Sequence, residues 1–103
     1  MQLSTTPRIE EKRIVLTIGP VFGEVVEGIN FIKDFGAGLS DLFGGRDQGY
    51  EDEIIKARQQ AQEEMAERAR YLGANAVVGV KIDIETIGQM MIVHASGTAV
   101  VVE

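Results

Sequence analysis

Residues 72–88 read LGANAVVGVKIDIETIG, and this stretch decides the fold. Gly73 stands where a helical pattern stops, and from Ala76 the chain turns apolar and β-branched with side chains alternating in character, as a half-buried strand requires. Gly88-Gln89 then separates this run from a second one, Met90 to Val102, which is the signature of a β-hairpin. Symmetry about that turn predicts Ile87 opposite Met90, Glu85 opposite Ile92, Asp83 opposite His94 and Lys81 opposite Ser96. Any even-length loop centred between Gly88 and Gln89 keeps these pairs, and an odd loop shifts them. The other face would set Val78, Val80, Ile82 and Ile84 against Ala99, Gly97, Ala95 and Val93. Large aliphatics facing small residues form a surface on which a helix can sit closely.

That helix is legible immediately upstream. From Tyr50 to Leu72, Ile54, Ala57, Ala61, Met65, Ala69 and Leu72 form one apolar stripe at helical spacing. Asp47 precedes it, and Glu51, Asp52 and Glu53 place negative charge at the positive end of the helix dipole. Asp52 with Lys56 and Glu64 with Arg68 are pairs four residues apart that support a helix.

Further upstream, Arg13 to Val26 is rich in Ile, Val, Thr and Phe and is predicted to be a long strand, bent or bulged near Gly19-Pro20. Ser4, Thr5 and Thr6 are expected to form a short extra edge strand. Between Gly28 and Gly49 six glycines argue for loops, while Ile32, Phe35, Leu39 and Phe43 recur as one face of a short helix. The second face of the sheet carries Val77, Met90, Ile92, Val100 and Val102 among Lys81, Asp83, Glu85, His94, Ser96 and Thr98. A two-layer monomer would leave such a face cleanly polar, so its mixed character points to burial against another subunit. The fold class is therefore α+β: an antiparallel sheet in β-β-α-β-β order with one long helix packed on one face, in an oligomer.

Composition bounds the function. The 103 residues make one domain, and 45% hydrophobic and 25% charged residues are those of an ordinary globular protein. A net charge of −6 without a basic cluster argues against nucleic acid. There is no cysteine, which excludes disulfides and thiolate chemistry. Neither a secretory pattern at the start nor an apolar run near the ~20 residues of a membrane span is present, so a cytoplasmic protein without membrane contact is expected.

Gly44-Gly45-Arg46, Tyr50-Glu51, the charged helix, LGANAVVGVKIDIETIG and the closing HASGTAVVVE together resemble the YbjQ-like family of small bacterial and archaeal proteins. The TTP at residues 5–7 and GEVVEGINFIKDFGAGLSDLFGGR at residues 23–46 fit the same pattern, so the resemblance spans nearly the whole chain. It implies a dodecin-like α+β subunit assembled into a ring, a homopentamer. The family's customary label is "putative heavy-metal-binding", and no family catalytic residues exist to carry over.

Two constellations carry chemistry. His94 opposite Asp83, with Glu85 diagonal to it, is the metal-like group: a carboxylate beside an imidazole can orient it or share a cation with it. The plainer role for the same residues is a cross-strand hydrogen bond or ion pair. Arg46 after Gly44 and Gly45 is the second, because close backbone approach and a guanidinium fork suit an anionic ligand. The plainer role there is a loop locked onto the helix or a neighbouring subunit. With a single histidine in the chain, one subunit falls short of the ligand set zinc usually takes, though symmetry-related His94 residues could supply the rest. A divalent metal is thus the candidate cofactor, and the sequence requires none. Met90 and Met91 face opposite sides of a strand and cannot share a site within one chain. The reading is a non-enzymatic homo-oligomer binding an ion or small ligand at subunit interfaces. The alternative is an enzyme acting on a small anionic substrate near Arg46.

Overall fold

The computed structural model describes residues 1–28, 48–88 and 90–103. In chain order these form β1 (Gln2–Leu3), β2 (Ile14–Gly28), α1 (Gln48–Tyr71), β3 (Ala76–Ile87) and β4 (Met90–Val102). The short helix expected between Gly28 and Gly49 falls largely outside the described residues. Gly28 itself ends β2, while Gln48 and Gly49 already belong to α1.

The four strands form one sheet in the order β1-β3-β4-β2. It is mixed, not antiparallel throughout as expected, because β1 runs parallel to β3, with Gln2 beside Ala76 and Leu3 beside Val77. The strand anticipated at Ser4–Thr6 begins two residues earlier, and its ladder continues beyond the regular strand. Ser4 N–H donates to the Val77 carbonyl at 2.9 Å, Val80 N–H to Ser4 at 2.9 Å and Gly79 N–H to Thr6 at 2.8 Å.

The hairpin pairs as its symmetry predicts from Ile87–Met90 to Lys81–Ser96, and the register then slips. Val78 pairs with Thr98, so Gly79 and Val80 together stand opposite Gly97. This is a bulge whose first residue is left-handed, with φ +62° at Gly79. Because side chains alternate with period two, one extra residue exchanges the faces on its far side. Val77, expected on the second face, therefore packs under the helix with Val80, Val93, Ala95 and Ala99. Val78, expected under the helix, joins Ala76, Val100 and Val102 on the second face. Ile9, buried on the loop between β1 and β2, closes that small cluster together with Ile14.

In α1 the stripe Ala57, Ala61, Met65 and Ala69 is fully buried, and Ile54 partly so. Leu72 departs from it and is half exposed, because it lies beyond the helix in the cap. The cap is a Schellman motif, with Ala74 N–H bonded to the Ala69 carbonyl and Gly73 N–H to the Arg70 carbonyl, both at 3.0 Å. Arg68 pairs with Glu64 and Arg70 with Glu67 along the helix, so these acidic residues have partners on their own element.

The chain then enters β3 through Asn75, whose amide grips the end of β4. Its Nδ2 donates to the Val102 carbonyl at 2.9 Å, and its Oδ1 accepts from Val102 N–H at 2.8 Å. Asn75→Ala removes both bonds and should cost about 1–2 kcal/mol, at roughly 1 kcal/mol net per bond less what water recovers. Urea unfolding followed by circular dichroism measures this, and an unchanged midpoint would contradict it.

On β2 the bulge expected near Gly19 is present as a shift between Thr17 and Gly19, and another lies between Ile14 and Leu16. The helix stands chiefly over β2, less over β4 and least over β3.

Candidate functional site

His94 lies midway along β4, on the face away from α1. The register sets it between Asp83 on β3 and Glu24 on β2. Its imidazole turns to neither: His94 Nε2 lies 3.6 Å from Glu85 Oε2, the diagonal carboxylate. That is just beyond hydrogen-bond length and close enough for an ion pair when the ring carries its second proton. Both side chains are open to water, with His94 at 38% exposure.

The two directly opposed carboxylates are drawn elsewhere. Asp83 sits 3.9 Å from Lys81 Nζ on its own strand. Glu24 meets Arg68 at 3.4 Å, and the same guanidinium donates to the Phe22 carbonyl at 2.7 Å. Arg68 thus reaches from α1 to β2, which is an edge of the sheet. Among the described residues, no group of three or more His, Cys, Asp and Glu side chains is placed to hold a metal ion. One chain contributes a His94–Glu85 pair, with Asp83 and Glu24 on the same row but otherwise engaged.

Glu24 had no local signal. Its place beside His94 depends on how β2 pairs with β4, and two bulges decide that register. Met91 is buried in the core while Met90 is exposed, so the two methionines face opposite sides as strand geometry demands. Gly44, Gly45 and Arg46 lie outside the described residues, and the anion site expected there with them.

The row containing His94 has apolar residues at one end. Val26, Ile87 and Met90 are exposed there on the same face, and Phe22 is exposed on the other side of the row. A separate open cleft of about 1030 Å³ runs along residues 6–13 and Glu103. Arg8, Lys12 and Arg13 line it together with Glu10, Glu11 and Glu103, so its charges balance and it shares no residue with the His94 group.

Fold and site define a small α+β sheet-and-helix protein with an imidazole–carboxylate pair on an open sheet face. The chain belongs to the YbjQ family, described as "Putative heavy-metal-binding", whose model matches residues 1–103. It is similar to the UPF0145 proteins of Listeria ivanovii and Listeria welshimeri, each 57% identical over 106 residues and covering 100% of this chain and 96% of the relative. The UPF0145 protein lmo0208 of Listeria monocytogenes matches to the same extent. None of these names assigns an activity. Among solved structures it resembles a DUF74 family protein of unknown function from Pediococcus pentosaceus, with a TM-score of 0.59 at 14% identity over 100% of this chain and 98% of that one. That likeness concerns the fold. No helix among the described residues is long and apolar enough to cross a membrane.

Proposed function

We propose that this chain is a non-enzymatic, cytoplasmic, homo-oligomeric module that binds a divalent metal ion or small ligand where subunits meet, with itself as its partner. The observation that carries the reading is the His94–Glu85 pair, open to water on a sheet face that also exposes Val26, Ile87 and Met90. Apolar side chains gathered on a face beside a polar group suit burial against another protein surface. Among the described residues each chain offers two protein ligands there, short of the four that zinc commonly takes, and an assembly supplies further copies. The family description supports a metal as the ligand, and the resemblance to YbjQ-like proteins supports a pentamer.

Native mass spectrometry of untagged protein tests both parts, because it reports subunit count and any retained metal together. Zinc titration by calorimetry tests the site. His94→Ala should weaken zinc binding by more than the roughly 10- to 100-fold typical of losing an outer-shell partner, and Glu85→Gln by at least about tenfold. Zinc binding that is unchanged in His94→Ala, or absent from the unmutated protein, ends the metal reading. A monomer at micromolar concentration ends the oligomeric one.

A further inference from the structure

Among the described residues both edges of the sheet keep open stretches, and their backbone geometry specifies how a second copy would join them. On the β3 side, β1 and the loop after it occupy the edge only as far as Val80, whose N–H is bonded to Ser4. Backbone groups in an antiparallel ladder alternate between facing the partner and facing away. Ile82, Ile84 and Thr86 share the parity of Val80 and so direct their N–H and C=O groups outward. On the β2 side, the Arg68 guanidinium takes the outward carbonyl of Phe22, which marks Glu24 and Val26 as the next outward residues. No bond among the described residues reaches these outward groups of Ile82, Ile84, Thr86 and Val26. An open edge is a template for pairing.

The first half of β2 is unsuited to pairing, because it carries two bulges and Pro20. Among the described residues, the regular segments left open are residues 23–28 of β2 and 81–87 of β3, of nearly equal length.

We infer that residues 81–87 of β3 pair in parallel with residues 23–28 of β2 from a second copy of this chain, head to tail. This rests on the homo-oligomeric reading above and specifies its contact. Parallel pairing places an outward-directed residue beside an inward-directed one. Ile84 therefore comes to lie beside the neighbour's Val25 or Gly23, and all of these side chains lie on the helix side of their sheets. Both helices then stay on one side of a continuous sheet. Antiparallel pairing would set Ile84 beside Glu24 or Val26, which face the other way, and would place the two helices on opposite sides.

Burial favours the same contact. A helix is about 10–12 Å wide and strands are spaced about 4.8 Å apart, so α1, standing over an edge strand, overhangs it. In its own chain α1 leaves β3 little covered, and Ile84 is 45% exposed. The neighbour's overhanging helix, which carries Ile55 at 46% exposure, would roof that strand. Joining unlike edges is heterologous, which gives a ring where the rotation between neighbours closes and a filament where it does not. It also brings the neighbour's Glu24, which pairs with its own Arg68, onto the row of Asp83 and Glu85.

The chain has no cysteine, so single introduced cysteines report the contact without background. Two differently tagged chains are co-expressed, one bearing Val26→Cys and the other Glu85→Cys or Ile87→Cys, and treated with a short bis-maleimide. One of the two combinations should give mixed dimers at least about tenfold above any single-variant control, as expected for tethering at high effective concentration. Ile84→Asp, placed where the isolated subunit tolerates it, should shift the native mass to smaller species. Cross-linking of Val26→Cys with itself would show β2 against β2 and overturn the inference. So would an oligomer of unchanged size in Ile84→Asp, or one in which no combination cross-links. In these cases oligomerisation itself stands, whereas a monomeric unmutated protein removes the oligomeric reading as well.

Discussion

Gly23→Ala is expected to destabilise the protein by about 3 kcal/mol or more, at the upper end of what overpacking costs. A methyl group at Gly23 would stand 2.0 Å from the Ala61 carbonyl oxygen and 2.7 Å from the Met65 nitrogen. Both obstacles are backbone atoms of α1, so no side-chain rotation relieves them. The helix would have to retreat by about 1 Å, and close packing across the whole Ala57–Ala61–Met65–Ala69 stripe would be lost with it. Domains of this size are stable by only about 5–15 kcal/mol, so a large fraction of folded protein is at stake at 37 °C. Denaturant unfolding at fixed protein concentration measures the effect. A loss below about 1 kcal/mol, the ordinary scale of a point substitution, would mean that the helix does not rest on β2 as closely as described.

Met65→Ala should cost a comparable amount, about 3 kcal/mol within the 2–5 kcal/mol range of such truncations. Met65 is fully buried, and its companions in the buried stripe of α1 are alanines. Among the fully buried residues of α1 it is the one large side chain between helix and sheet, and its alanine neighbours cannot close the void left behind. Met65→Leu nearly conserves volume and should lose less than about 1.5 kcal/mol. If both variants unfold at the same denaturant concentration, the site is not packed as tightly as its burial indicates.

These two residues differ in how readable they are. Met65 is visible in the sequence, because a stripe repeating every three to four residues is a local property of a helix. Gly23 reads only as a glycine interrupting a strand. Its reason for being glycine is the underside of a helix some forty residues away. The same division runs through the candidate site. The Asp83–His94 pairing follows from symmetry about a short hairpin, where register is set by near neighbours. The closer approach of Glu85 depends on rotamers that strand pairing does not dictate, and Lys81 and Arg68 draw Asp83 and Glu24 to other partners.

The faces of the sheet show where a local rule fails. Strict alternation along β3 places Val78 under the helix and Val77 opposite it. Gly79 reverses this, because a glycine in the left-handed region lets two residues stand opposite one. Nothing in Ala76-Val77-Val78-Gly79-Val80 distinguishes a glycine that continues a strand from one that bulges it. The bonds from Gly79 and Val80 to Thr6 and Ser4 do, and they come from the far end of the chain.

By itself, then, the sequence determined the long helix with its glycine cap, the hairpin with its register near the turn, and the family. Each of these rests on interactions between residues close in the chain or on motif identity. Only the tertiary structure decided that β1 joins the sheet in parallel, that the faces exchange at Gly79 and that Glu24 lies beside His94. It alone placed α1 chiefly over an edge strand, leaving the hairpin end of β3 little covered. Those features arise from contacts between distant segments, where backbone hydrogen bonds and close packing, and not local periodicity, select the arrangement.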